Sequence, residues 1–88
     1  MIDIQKIETE ANDLAASILY KIQFKEFIER MASKFFMSKD AMHLHAQLQK
    51  AALEAKTSKS AFLKLMQKAH NSSIEELECF LRYFISAL

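Results

Sequence analysis

The sequence predicts an all-α protein, a small bundle of three to four helices with a long N-terminal helix, and three observations carry that reading. Its 88 residues contain no glycine and no proline. Ala, Leu, Lys, Gln, Glu and Met, the strong helix formers, dominate the composition. Apolar residues recur at three- and four-residue spacing along nearly the whole chain. Without glycine there is no cheap source of positive φ, so tight hairpin turns, dinucleotide-binding turns and phosphate-cradling loops are disfavoured together. Disorder is disfavoured as well, because 51% of the residues are apolar and the net charge is only +1.

The first predicted helix runs from about Asp3 to Met37 and has no internal breaker. Asp3 is its N-cap, and Glu8, Glu10 and Asp13 place negative charge near its positive end. Ile4, Ile7, Ala11, Leu14, Ala15, Ile18, Leu19 and Ile22 form one stripe at helical period. The phase then changes. Tyr20, Phe24, Phe27, Ile28, Met31 and Phe35 form a second stripe pointing almost opposite the first, while Lys25, Glu26, Glu29 and Arg30 take over the old apolar face. Either the helix bends near Ile22 to Phe24 so that both stripes meet one core, or it runs straight for roughly 50 Å and its halves face different partners. With no proline, glycine or capping residue at the junction, the continuous helix is the expectation.

Ser38 and Asp40 can cap the second helix, which runs to about Lys56 with Ala41, Leu44, Leu48, Ala51, Ala52 and Ala55 on a narrow face. Thr57 and Ser58 mark a turn. The third helix covers about Lys59 to His70 and faces inward through Phe62, Leu65, Met66 and Ala69. His70-Asn71-Ser72-Ser73 is the clearest loop, and Ser73 with Glu76 forms a capping box that opens the fourth helix, Ile74 to Leu88. There Ile74, Leu77, Leu81, Phe84, Ile85 and Leu88 make one face, and Phe80, Tyr83 and Ala87 widen it to roughly 200°, about twice the usual stripe. That helix sits centrally or carries a second contact surface. The whole chain reads as a single helical domain.

Sites of chemistry are scarce. His43 and His45 lie two apart on a helix and point in nearly opposite directions, and Asp40 with His43 supplies only two ligands, so no metal is expected. Cys79 lies near Glu75 and Glu76, whose charge opposes thiolate formation. As the only cysteine it cannot form an internal disulfide, and a free thiol suits a reducing compartment. The start, MIDIQKIETE, does not read as a signal peptide, and no apolar run approaches a membrane span. The expected setting is therefore cytoplasmic, with no membrane partner. The acid pairs Glu26/Glu29 and Glu75/Glu78 sit on polar faces beside basic residues rather than in a desolvated site suited to acid–base work. Carrier proteins with prosthetic arms are excluded, since no Asp-Ser attachment pair occurs. Neither catalysis nor a cofactor is expected.

Charge is unevenly spread. Residues 1–20 carry −3, residues 21–70 carry +6 and residues 71–88 carry −2. Lys56, Lys59, Lys64 and Lys68 could touch phosphates, which makes a nucleic-acid-associated regulator the second expectation. A helix-turn-helix drawn from the third and fourth helices would present Glu75, Glu76 and Glu78 to a polyanion, and its turn lacks glycine.

The favoured expectation is a non-enzymatic protein–protein interaction module, such as a small adaptor, co-chaperone or regulator. Its contact surface is read as Tyr20, Phe24, Phe27, Ile28, Met31 and Phe35 on the first helix with Phe80, Tyr83 and Ala87 on the last. A homodimer is the simplest way to hide that surplus, because large exposed apolar patches are rare on monomers.

Overall fold

In a computed structural model that describes residues 2–55 and 58–88, the chain is all-helical. The described residues form five α-helices: α1 (Ile4–Ala16), α2 (Lys21–Ser38), α3 (Ala41–Glu54), α4 (Lys59–Asn71) and α5 (Ile74–Ala87). Lys56 and Thr57, read from the sequence as a helix end and part of a turn, lie outside the described residues.

The long first helix is absent, and the helix count rises accordingly. The chain breaks between Ser17 and Tyr20, a few residues before the junction that the sequence suggested. Ser17 turns its hydroxyl onto the Leu14 carbonyl at 2.6 Å, and its N–H returns to the same carbonyl at 3.1 Å. The Ile18 N–H reaches back only to Ala15, at 3.2 Å. Such local serine bonds compete with helix propagation. Energetics favour the break. Interrupting the ladder forgoes a few hydrogen bonds worth about 1 kcal/mol net each. It lets Phe24, Ile28, Met31 and Phe35 join Ile7, Ala11 and Leu14 in one core, and each large apolar side chain gains roughly 1.5–3 kcal/mol on full burial.

The other boundaries follow local chemistry. The Asp3 and Asp40 carboxylates accept the N–H of Lys6 and His43, each at 3.1 Å, and so cap α1 and α3. The Ser73/Glu76 capping box forms as its spacing predicts. With no glycine available, α2 ends on a left-handed Lys39 (φ 56°), and Ser58 before α4 is also left-handed (φ 59°). Each conformation costs an L-residue roughly 1–2 kcal/mol.

α1 packs mainly on α5 and α3 mainly on α4, while α2 touches both α3 and α5. An aromatic chain ties these pairs together: Phe62 of α4 lies 4.9 Å from Phe24, which meets Phe84 of α5 at 6.0 Å. Phe80 stacks on Phe84 at 5.9 Å. Because α5 packs against both α1 and α2, the centre of its broad apolar arc, Leu77, Phe80, Leu81 and Phe84, is buried.

The contacts also define two ends. Phe24 near the start of α2 meets Phe62 near the start of α4 and Phe84 near the end of α5. At the other end of α2, Lys39 pairs with Glu78 and Arg82 lies over the Phe36 ring. His45, early in α3, faces His70, late in α4, with ring centroids 6.0 Å apart. At one end, here the Phe24 end, α1, α3 and α5 therefore finish while α2 and α4 begin. At the other, the Lys39 end, the pattern is reversed. The 18 residues of α2 hold the ends about 27 Å apart.

Candidate interaction surface

The sequence-derived contact surface is largely core. Phe24, Ile28, Met31, Phe35 and Phe80 are buried, so in this fold they present no surface to a partner. Phe27, Tyr83 and Ala87 are half-buried. Phe27 stands at a shallow groove of about 330 Å³ shared with Ala46, Gln47, Lys50, Ala51 and Glu54. Of the nine residues only Tyr20 is exposed, at 54%. The break after Ser17 is the cause, since it swings the second stripe inward.

The same break turns other side chains outward. Leu19 and Ile22, placed by the sequence on the first apolar stripe of the long helix, are 82% and 75% exposed. With Tyr20 between them they form an apolar corner where α1 passes into α2. Ile18 beside them is buried and anchors the corner to the core. The three exposed side chains present on the order of 400 Å², the size of the largest apolar patch on an ordinary monomer. Leu53 in the last turn of α3 and Leu63 early in α4 are also exposed and lie at the same end. Met37, Met42 and Ile74 are exposed at the opposite end. No sequence signal separates Leu19 from a core leucine until the helix break is placed.

Lys59 and Lys64 are exposed, whereas Lys68 is drawn inward. It forms an ion pair with Glu10 of α1, and its ammonium lies 5.3 Å from the centre of the Phe80 ring. Lys64, Lys68, Glu10, Asp13, Leu14 and Phe80 line one cleft of about 260 Å³, so the lysines share it with two carboxylates. Lys56 lies outside the described residues.

The remaining reactive side chains are dispersed. His43 exchanges a 2.9 Å hydrogen bond with Gln47, and Cys79 is half-buried. Arg82, one turn beyond Cys79, is held by Glu78 at 3.0 Å and lies over the Phe36 ring. Glu78 also binds Lys39, and these partners, Lys39 foremost and then Arg82, hold its carboxyl below the usual glutamate range. Among the described residues, no three His, Cys, Asp or Glu side chains gather as metal ligands, and no helix is long and apolar enough to cross a membrane. No protein-family model matches the chain, and no curated protein or solved structure is significantly similar to it.

Proposed function

We propose that this chain is a non-enzymatic protein–protein interaction module of the adaptor, co-chaperone or regulator kind, which also associates with itself. One observation carries the reading: Leu19, Tyr20 and Ile22 stand in water on a corner that the core holds in place through Ile18. Burying such a patch against another protein recovers roughly 25 cal/mol for each Å² of apolar surface removed from water. Aromatic side chains such as Tyr20 suit binding surfaces because a large amphipathic area is ordered through few rotatable bonds. The free thiol of Cys79 favours a reducing compartment such as the cytoplasm.

The rival reading, a nucleic-acid-associated regulator, draws on the exposed Lys59 and Lys64. It is the weaker one. Lys68 is already engaged by Glu10, and Asp13 lines the same cleft as Lys64, so an approaching phosphate meets carboxylates as well as ammonium groups.

Site-directed photocrosslinking in cells tests the favoured reading. A benzophenone amino acid placed at position 20 is expected to give protein adducts, whereas the same group at the exposed position 49 of α3 is expected to give none. Ile22→Glu in the position-20 background is expected to abolish the adducts. Absence of protein adducts from position 20 overturns the proposal.

A further inference from the structure

We infer that two copies of this chain exchange α1 reciprocally, the α1 of each docking on the α5 of the other, with the connector Ser17–Tyr20 straightened into helix. The inference rests on the reading that the chain associates with itself, and it names the segment and the face through which it does so.

The connector is built like an interrupted helix. Ser17 already lies in the right-handed region (φ −83°, ψ −7°). Neither glycine nor proline stands in it, and Tyr20 gives α2 no side-chain cap. The N–H groups of Leu19, Tyr20, Lys21, Ile22 and Gln23 have no backbone acceptor among the described residues. Continuing α1 into α2 gives each of them the carbonyl four residues earlier. What holds the connector bent is the docking of α1, whose Ile7, Ala11, Leu14 and Ala15 are buried and which packs mainly on α5.

One chain cannot hold both the straight helix and the α1–α5 contact. A helix from Ile4 to Ser38 is roughly 50 Å long at 1.5 Å per residue, whereas the whole molecule extends 37 Å. Straightened, α1 projects past the Phe24 end and leaves the α5 of its own chain uncovered. A second copy opened in the same way supplies the identical α5 face. α1 finishes at the Phe24 end and α2 begins there. A helix lying in the partner's α1 site therefore crosses directly into its own α2, with the two Phe24 ends facing. The two apolar stripes, which point to different sides of a straight helix, then meet two different bodies. Exchange repeats every α1 contact of the single chain, down to the Lys68–Glu10 pair, and adds the hydrogen bonds of the connector. It also brings Leu19, Tyr20 and Ile22 of both copies to the two-fold axis. Because the exchanged contacts are those of the single chain, such swapping is a low-cost route to a dimer, and its closed symmetry stops growth there.

Lys21→Pro and a charge exchange at positions 10 and 68 provide the test. The protein is concentrated, warmed through its unfolding midpoint and cooled, which lets α1 undock and dock again, and its mass is read by analytical ultracentrifugation. The unmodified chain is expected to yield a dimer of twice 10.2 kDa and nothing larger. Lys21 is the first residue of α2, where proline suits the bent form. In a continuous helix the same proline loses a hydrogen bond and clashes with the Ser17 carbonyl. Dimerisation is then expected to weaken roughly 10⁴-fold over the two hinges, with the melting curve of the monomer preserved. Glu10→Lys and Lys68→Glu each set like charges together within one chain. Mixed and warmed in the same way, these two variants are expected to pair with each other in preference to themselves, because exchange restores opposite charges at both α1 sites. Should Lys21→Pro shift the melt, this mixture decides alone. A dimer unweakened by Lys21→Pro, or mixed variants that pair no more than at random, overturns the exchange while self-association stands. A monomer at every concentration overturns both, and photocrosslinking from position 20 then decides separately whether another protein is bound.

Discussion

Phe24 and Phe84 meet edge to face, with ring centroids 6.0 Å apart and planes inclined at 88°. The contact joins α2 to α5 where the chain has just turned out of α1, and Phe84 has no exposed surface. Phe84→Ala is expected to lower stability by about 3–5 kcal/mol, as for buried phenylalanines in general. Ile22→Ala, two residues from Phe24 but facing solvent, is expected to change it by no more than about 0.5 kcal/mol. Urea melts of the two variants check the contrast, and with it the rotation of α2.

Ser58 offers the opposite test, a stabilising substitution. It is left-handed at φ 59°, and its side chain makes no capping hydrogen bond to α4. Ser58→Gly removes the Cβ clash, and the greater flexibility of glycine in the unfolded chain offsets part of the gain. A net stabilisation of about 0.5–1 kcal/mol is expected in thermal or denaturant melts. Lys39, equally left-handed, should gain less from the same change, because it also loses the Glu78 ion pair.

Glu78 makes stability depend on acid. Its carboxyl titrates lower in the folded state, chiefly through Lys39 and next through Arg82. A depressed acid contributes stability that is complete above the unfolded pKa and lost as pH falls through the folded one. The advantage of the unmodified protein over Glu78→Gln should therefore persist at neutral pH and close on acidification below the ordinary glutamate range. A carboxyl-detected NMR titration should place Glu78 below the other glutamates, and Lys39→Ala should raise it more than Arg82→Ala does.

The lysines are not equivalent. Lys68 lies over the Phe80 ring and holds Glu10, so Lys68→Gln is expected to cost about 1 kcal/mol. Lys59 is exposed at the first position of α4, and Lys59→Gln should change stability by less than about 0.5 kcal/mol. Chemical melts separate them. Heparin retention should fall more for Lys59→Gln than for Lys68→Gln, whose charge already faces a carboxylate.

Much of this architecture can be read from residues whose signals are local. Asp3, Asp40 and the Ser73/Glu76 box announce three helix starts, and all three form. The third and fourth predicted helices correspond closely to α4 and α5. The break after Ala16 carries no local signal, because neither glycine nor proline stands there and serine is common within helices. Its one long-range sign was the phase reversal between the Ile7–Leu14 stripe and the Phe24–Phe35 stripe, and a single shared core reconciles the two. A straight helix would leave the second stripe turned away from the first. Turning α2 buries Phe24 and Phe35 and releases Leu19 and Ile22, so the residues that best resembled a partner surface became the core.

The pairing of α1 with α5 bears on the order in which the molecule can assemble. α3 and α4 are neighbours along the chain as well as in space, and they can collapse as soon as both have left the ribosome. α1 is made before α5, yet α5 supplies its main docking face. Until α5 has been synthesised, Ile7, Ala11 and Leu14 lack their principal cover. A chain that has not yet reached α5 thus carries an apolar helix without its main cover, the kind of segment that chaperones shield and that aggregates when left bare. Truncation before Ile74 is expected to leave α1 more sensitive to protease than it is in the full chain, because it removes the helix that supplies most of its cover.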